Sequence, residues 1–431
     1  MAREQVHVIG FAAAEPAAVW AVARDFCGLW HPFLAEVRTE RDMRGALIRA
    51  FTVQGEDTLY REQLTWFSDS DRALAYTHLE GIAGAESYEA RLSVGAAEKG
   101  GSVITWTATL TAPATRAGQI AEGTKKVFEA GIAALAARAE MSPSVPEVLA
   151  PAAVPVELRE MRVDDAPRLA LTMTPERSGP LCLFLHGIGG GRVNWRGQLQ
   201  AVAPVMRAAA LDLRGYGDST LGFRQSTVDD YCADILRIRD VLGADRLVLC
   251  GLSYGSWIAT SFAMRHPEML AGLVLSGGCT GMSEAGPEER EAFRVSREVP
   301  LNAGQRPADF APAVVKVLAG PEAGDQVKAD LLASMAAISA ETYRDALICF
   351  TNPLERFDFA RLTMPVLMMT GEHDRLAPPA EIRAVSARIA ECAPCADVRF
   401  EVIDGAGHVC NVEHPDAYNA HLVSFLSKVA R

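Results

Sequence analysis

Residues 246–266 read RLVLCGLSYGSWIATSFAMRH. A short apolar run leads into Gly251-Leu-Ser253-Tyr-Gly255, and a helical pattern follows directly. The five-residue motif fits G-x-S-x-G, whose glycines allow a strand-to-helix turn too tight for a β-carbon at either flank. Such a turn lifts the serine oxygen clear of the backbone. The motif alone occurs by chance, but its position between a strand and a helix is specific, so we predict that Ser253 is a nucleophile.

A serine hydroxyl is a poor nucleophile and needs a base that is held in the right tautomer. Asp374 follows the strand-like run PVLMMT (365–370), and His408 follows the run VRFEVIDGAG (398–407). The three residues come in the order Ser, acid, His that belongs with this motif. The sequence therefore predicts a catalytic triad of Ser253, Asp374 and His408.

Other residues compete for these roles. Glu372 lies in the same loop as Asp374, but the G-x-x-D spacing favours Asp374 as the acid. His186 precedes a glycine-rich loop, where a histidine more often braces the loop than performs chemistry. His414 and His421 are most simply interpreted as packing or surface residues.

Two backbone amides are predicted to stabilise a developing oxyanion. The amide of Tyr254 stands at the amino end of the helix that follows Ser253, and the amide of Ile188 lies in the glycine-rich loop after LCLFL (181–185). The same loop is not a dinucleotide fingerprint, because Arg192 occupies the place of the last glycine. Trp195 and Phe350 are candidate aromatic residues of the substrate pocket.

Short apolar runs alternate with helical segments throughout the second part of the chain. This alternation predicts a parallel sheet covered on both faces, with the site at the carboxyl ends of the strands. Residues 280–357 are mostly helical by pattern and are predicted to form a cap that roofs the site and excludes water. The predicted strands are 181–187, 208–215, 246–251, 270–276, 365–371 and 398–405.

Residues 156–431 resemble the α/β-hydrolase superfamily. The resemblance rests on HGIGGGRVNW (186–195), DLRGYGDS (212–219), GLSYGS (251–256), GEHD (371–374) and GAGH (405–408). The loop GHVCNVEHP (407–415) looks like that of enol-lactonases and related esterases. The resemblance implies a serine hydrolase that cleaves a small-molecule ester or lactone through an acyl-enzyme, without a metal or cofactor. An aspartate in place of Ser253 would have indicated a dehalogenase or an epoxide hydrolase.

Several rival functions remain open. A hydrolase of carbon–carbon bonds in diketones and a perhydrolase would both use the same triad. A rival from another class is a binding or sensor protein with weak or no catalysis. It predicts a tightly bound small molecule and negligible turnover.

The first part of the chain has a different pattern, with apolar and polar residues alternating along successive runs. They predict antiparallel strands at 46–53, 58–68, 72–80, 87–94 and 102–112. A helix is predicted to begin near Pro16, and a long helix at 116–140 is predicted to bury one face. The residues predicted for that face are Ile120, Val127, Phe128, Ile132 and Leu135.

This order of elements, with EPAAVWAVARDFCGLWHPFL (15–34), resembles the START-like/SRPBCC superfamily of polyketide cyclase-like proteins over residues 3–140. The resemblance implies an α+β helix-grip fold whose cavity binds apolar or aromatic small molecules, in many members without catalysis. Trp20, Trp30 and His31 are candidates to line such a cavity, although each of them alone is more simply explained as a core residue.

Residues 142–155 read SPSVPEVLAPAAVP and predict a semi-rigid linker. We therefore expect a START-like domain at 1–141 and an α/β-hydrolase domain with a helical cap at 156–431. The net charge of −12 predicts no affinity for nucleic acid or anionic membranes and leaves a small apolar substrate as the expected partner. Self-association into a homo-oligomer is left open.

The amino terminus lacks the apolar core of a signal peptide and no run is long enough to span a bilayer, so we expect a cytoplasmic protein. The chain has nine cysteines, and Cys392 and Cys395 form a lone C-x-x-C. A zinc site needs four ligands and no second pair is suitably spaced, so no metal is expected.

Overall fold

The computed structural model describes residues 1–42, 46–97, 100–141, 155–164, 166–354, 356–393 and 397–430. These residues form two compact units, one of 1–141 with 397–400 and one of 155–393 with 401–430. The predicted linker at 142–155 lies outside the described residues except for Pro155, and so does Cys395 of the C-x-x-C pair.

The amino-terminal unit contains a seven-stranded antiparallel sheet with the strand order β1-β7-β6-β5-β4-β3-β2. Helix α1 follows the first strand, and the long helix α2 follows the last. The elements are β1 (Ala2–Ala12), α1 (Pro16–Ala23), β2 (Leu34–Arg41), β3 (Leu47–Val53), β4 (Tyr60–Ser68), β5 (Ala73–Glu80), β6 (Ser87–Ala96), β7 (Ser102–Ala112) and α2 (Ala114–Met141).

The core of this unit lies between the sheet and α2. Alternate residues of β7 are buried, as period two requires. One of them, Trp106, stacks on Phe128 of α2 with ring centroids 4.5 Å apart. Val127 was predicted on the buried face but is 39% exposed, because one residue turns the helix by about 100° away from Phe128.

The three candidate cavity residues of this unit are buried and hydrogen-bonded. Trp20 Nε1 donates to Asp69 Oδ1 at 2.7 Å, and Trp30 Nε1 donates to the Asp25 carbonyl at 3.0 Å. His31 Nε2 lies 2.9 Å from the Val127 carbonyl oxygen, and burial lowers the His31 pKa. These contacts give all three residues a packing role.

The carboxy-terminal unit contains a sheet with the strand order β15-β14-β13-β12-β10-β11-β9-β8, of which it includes residues 401–403 of β15. Its strands are β8 (Arg159–Val163), β9 (Leu169–Met173), β10 (Leu181–Leu185), β11 (Arg207–Asp212), β12 (Leu247–Leu252), β13 (Leu270–Ser276), β14 (Val366–Gly371) and β15 (Val398–Ile403). Strands β10 to β14 pair in parallel, whereas β9 pairs antiparallel with both β11 and β8. The predicted strands that correspond to β10 to β14 thus pair in parallel, as expected, and the antiparallel pairs come from β8 and β9, which the sequence pattern did not predict. The link from Val163 to Leu169 is too short for the crossover that a parallel pair needs.

From β10 onward, helices separate consecutive strands of this sheet, and α6 to α9 form an insertion between β13 and β14. No helix in the described part of the chain is long and apolar enough to cross a membrane. The helices are α3 (Arg196–Val202), α4 (Val228–Val241), α5 (Tyr254–Arg265), α6 (Pro287–Asn302), α7 (Pro307–Leu318), α8 (Asp325–Ala336), α9 (Ala340–Thr351), α10 (Pro379–Cys392), α11 (Cys410–Glu413) and α12 (Pro415–Val429), with 3-10 turns at Arg192–Trp195, Pro267–Met269 and Phe359–Arg361.

Candidate active site

Ser253 occupies the sharp turn between the central strand β12 and helix α5. Its backbone has φ 54° and ψ −114°, a conformation that side-chain-bearing residues rarely adopt. Its amide donates to the Ser276 carbonyl at 2.7 Å, which ties the turn to the end of β13. Strain of this kind is found at functional sites, where the surrounding fold holds it in place.

The two glycines of the motif make this turn sterically possible. A β-carbon on Gly255 would overlap the Leu185 carbonyl of β10, and one on Gly251 would overlap the Gly255 carbonyl. Alanine at either place would therefore push the strand, the turn and the helix apart. The sequence pattern is thus explained by backbone packing around Ser253.

Asp374 and His408 form a buried pair at the ends of β14 and β15. His408 Nδ1 lies 3.0 Å from Asp374 Oδ1 and 2.9 Å from Oδ2, and Oδ1 also accepts the amides of Leu376 and Ala377 at 2.8 and 2.9 Å. Burial, the largest single influence, acts to raise the pKa of Asp374, but His408 and the two amides outweigh it and lower that pKa. The ionised carboxylate therefore holds the proton on His408 Nδ1, which leaves Nε2 as the basic nitrogen.

His408 and Ser253 line the same cavity, which has a volume of about 540 Å³. The His408 ring packs against Gly277, where an ideal β-carbon would lie 3.1 Å from Cε1. Gly277 follows Ser276, the residue that accepts the Ser253 amide. The structure thus brings Ser253, His408 and Asp374 into one neighbourhood, while their catalytic roles stay a prediction.

The competing residues have other contacts. Glu372 Oε2 accepts the Gly405 amide at 2.9 Å, so its carboxylate braces the next loop. His186 Nδ1 lies 2.7 Å from the Gly187 carbonyl, and its Nε2 accepts the Leu213 amide at 3.0 Å. Burial lowers the pKa of His186, which favours the neutral ring that these two bonds require. His186 therefore braces the glycine-rich loop, as expected.

The two candidate oxyanion donors also lie in the cavity wall. Tyr254 is the first residue of α5, where a backbone amide has no partner within the helix. Ile188 lies in a turn closed by the Gly190 amide on the Gly187 carbonyl at 3.0 Å, and its own carbonyl accepts the Tyr216 hydroxyl at 3.1 Å. Both residues therefore lie where an oxyanion hole requires them, while the role of their amides as donors stays a prediction.

The insertion of α6 to α9 supplies much of the cavity wall. Phe350 of α9 lines the cavity and meets the Tyr254 ring edge-to-face at 5.7 Å. Trp195, the other predicted pocket aromatic, is fully buried elsewhere and stacks on Phe184 at 4.9 Å. It packs in the core behind the glycine-rich loop rather than in the cavity wall. The wall residues from the insertion are Phe293, Ser296, Arg297, Pro300, Phe310, Ala313, Val314, Val317, Leu318, Leu331, Met335, Tyr343 and Phe350.

Glu413 is a residue that sequence reasoning missed. Its carboxylate accepts three backbone amides, from Gly320 at 2.7 Å, Gly407 at 2.9 Å and Val409 at 3.1 Å. Two of these amides flank His408. The only sequence signal was an acidic residue shortly after the predicted histidine, which a surface glutamate would match equally well.

Comparisons with known proteins agree with this architecture. Residues 182–421 match the family model described as alpha/beta hydrolase family, and residues 6–140 match the model described as polyketide cyclase / dehydrase and lipid transport. Solved structures with a similar fold include esterases and lactonases. The enol-lactonase from Burkholderia xenovorans LB400 has a TM-score of 0.52 and 24% identity, covering 61% of this chain and 97% of that one.

Two relatives of known sequence have names that state other activities. Epoxide hydrolase 4 of Mus musculus is 39% identical over 114 residues, which are 26% of this chain and 32% of that protein. The chain thus matches about a third of that relative's length. The 2-hydroxy-6-oxononadienedioate/2-hydroxy-6-oxononatrienedioate hydrolase of Klebsiella pneumoniae is 27% identical, covering 57% of this chain and 86% of that one. Since the family model at 182–421 matches more than half of the sequence, the chain belongs to the alpha/beta hydrolase family.

Proposed function

We propose that this protein is a serine hydrolase that cleaves a carboxylic ester or lactone of a small molecule through an acyl-enzyme on Ser253. The observation that carries the proposal is the buried His408–Asp374 pair, whose nitrogen and oxygen lie 2.9 Å apart beside the cavity that Ser253 lines. A serine hydroxyl in a strained turn that shares a cavity with an imidazole oriented by a carboxylate is the arrangement that acyl transfer uses.

The proposed reaction has two halves. His408 Nε2 takes the proton of Ser253 Oγ as that oxygen attacks the carbonyl carbon, and the Ile188 and Tyr254 amides stabilise the oxyanion. The bond to the leaving oxygen then breaks, and His408 returns the proton to that oxygen. Water next attacks the acyl carbon, gives a proton to His408 and releases the acid, while Ser253 Oγ recovers its proton. Losing one oxyanion donor typically costs about 3 kcal/mol of barrier.

A carbon–carbon hydrolase is the second candidate, because the Klebsiella pneumoniae relative is named as a hydrolase of a dienoate that carries a keto group. The epoxide hydrolase relative gives weaker support for a third activity, the hydrolysis of an epoxide. Its alignment covers a third of that protein, and this chain has Ser253 where an aspartate nucleophile would be expected.

One panel of substrates tests the proposal. Purified protein is assayed with p-nitrophenyl esters, an aliphatic lactone, a dienoate diketone and an epoxide, alongside Ser253→Ala. The matched control is Ser427→Ala, because Ser427 does not line the cavity and its hydroxyl donates to the Val423 carbonyl at 2.7 Å. We expect ester or lactone turnover that Ser253→Ala abolishes and Ser427→Ala retains. Turnover of the diketone alone would favour the second candidate, and ester turnover by Ser253→Ala would reject the mechanism.

We also propose that the amino-terminal domain binds an apolar small molecule. Support comes from the family match of residues 6–140, whose description includes lipid transport. The test is mass spectrometry of an organic extract of the purified intact chain, followed by rebinding of any apolar compound found. Failure of the intact chain to retain or rebind such a compound would reject this role.

A further inference from the structure

The cavity wall contains a cation with no carboxylate partner. Arg297 of α6 lines the cavity and is partly buried, with its guanidinium carbon 3.3 Å from the centroid of the Phe293 ring. Its Nη1 donates to the Phe293 carbonyl and to Ser296 Oγ, each at 3.3 Å. Among the residues that the structure describes, no carboxylate oxygen lies within 4.0 Å of this guanidinium.

We propose that Arg297 binds a carboxylate of the substrate, so that the preferred substrate is an ester or lactone that carries a second, free acid group. This inference rests on the proposed function and adds the chemical class of its substrate. The acid group lies on the acyl part or on the leaving part, while the reacting carbonyl lies at Ser253.

Arg294, about one turn earlier on the same helix, is by contrast an arginine with carboxylate partners. It pairs with Glu291 and with Glu298, both at 2.6 Å. Arg297 has only neutral acceptors, and burial lowers its pKa. A partly desolvated guanidinium without a counter-ion is costly, and an incoming carboxylate supplies the missing charge.

The surroundings of Arg297 suit an anion on an otherwise apolar molecule. Tyr343 is buried in the same wall. Burial raises the pKa of its phenol more than the positive charge of Arg297 lowers it. The hydroxyl therefore keeps its proton and can donate a hydrogen bond. Phe310 packs edge-to-face on Tyr343 at 5.5 Å. Besides Arg297, the aspartate, glutamate, lysine and arginine side chains among the lining residues include only Glu381 of α10, so Arg297 is the group in this wall that can attract an anion.

The test uses three esters of matched size: p-nitrophenyl valerate, mono-p-nitrophenyl glutarate and 4-carboxyphenyl valerate. The first is neutral, the second carries the acid on its acyl part, and the third carries it on its leaving part. Intact wild type is compared with Arg297→Met, which keeps the side-chain bulk without charge, and with Arg297→Lys, which keeps a charge. Arg294→Met is the matched control on the same helix.

We expect Arg297→Met to lower kcat/KM for at least one anionic ester by about tenfold to a hundredfold, mainly by raising KM. Hydrogen bonds to charged groups typically change affinity by about one to two factors of ten. The neutral ester should change by less than about threefold, Arg297→Lys should restore part of the loss, and Arg294→Met should not alter the preference. An equal effect on all three esters, or none, would overturn the inference while leaving the proposed function in place. Lack of turnover of every ester by wild type would instead reject the proposed function.

Discussion

Glu413 holds the histidine loop, and replacing it should separate positioning from chemistry. Its carboxylate is buried and accepts the amides of Gly320, Gly407 and Val409. The Gly320 amide follows α7, and the His408 amide donates to the Leu318 carbonyl at 2.7 Å in the same segment. One side chain therefore fixes both the loop that carries His408 and a segment of the cavity wall.

The size of the effect follows from counting these amides. Glu413→Ala leaves three buried N–H groups without an acceptor, at about 1–3 kcal/mol each. Water that enters the vacated space will recover part of this cost, so we expect a loss of about 3 kcal/mol in the free energy of unfolding. A shift of His408 of about 1 Å would lower kcat by about a hundredfold. KM should change less than kcat, because Glu413 itself does not line the cavity and acts on its wall only through the backbone amides that it accepts.

The assay pairs urea unfolding with steady-state ester kinetics for Glu413→Ala, Glu413→Gln and a control. Gln keeps one oxygen but turns an amino group toward at least one amide, so its effects should be intermediate. Asp345→Ala is the control: Asp345 is also 8% exposed and accepts the Ser226 amide at 2.8 Å, away from His408, so the variant leaves one buried amide without its acceptor. We expect the control to lose stability with kcat retained. A Glu413→Ala variant that loses stability but keeps wild-type kcat would refute the positioning role.

Three further predictions concern buried charges. Asp374→Asn should lower kcat by about four orders of magnitude with little change in KM, as stopped or continuous ester assays would show, because the amide no longer fixes the His408 tautomer. The pKa of Asp374 is lowered in the folded state, so the stability it supplies is fully present above its unfolded pKa of about 3.9 and is lost as the pH falls through the lower folded pKa. Thermal melts of wild type and Asp374→Asn should therefore keep a constant gap at neutral pH and approach each other only as the pH falls below about 4. A gap that stays constant at acidic pH would contradict this. Glu62→Gln should destabilise the amino-terminal domain by about 3–5 kcal/mol, because it leaves the buried Arg49 guanidinium, 2.6 Å from the Glu62 carboxylate in the wild type, without a counter-ion. Urea unfolding measures this loss. An unchanged free energy of unfolding would mean that water reaches Arg49.

The parts of the structure with strong local signals were predicted well. The two-domain fold class is confirmed, and the strand predicted at 102–112 matches β7 at Ser102–Ala112. Strict alternation of buried residues gave that strand its boundaries. The turn at Ser253 was also predictable from the sequence, because only glycine fits at the two flanking positions, Gly251 and Gly255.

The missed elements had weak local signals. Strand β2 (Leu34–Arg41) is mostly exposed and rich in charged residues, so it lacks the apolar alternation that marks a strand. Strand β9 pairs antiparallel with β11, which is distant in sequence, and its partner β8 is mostly exposed, so the local pattern of these two strands gives little sign of either. Trp195 and Phe350 were equally plausible as pocket residues, and only the tertiary packing separates the core position of one from the cavity position of the other.

The central claim is that Ser253 forms the covalent bond to the substrate. The most direct measurement is peptide mass spectrometry after the intact protein reacts with a fluorophosphonate or with a slowly deacylated p-nitrophenyl ester. We expect one adduct, on the peptide that contains Ser253, and no adduct in Ser253→Ala. An adduct on a different residue, or undiminished ester turnover by Ser253→Ala, would contradict it.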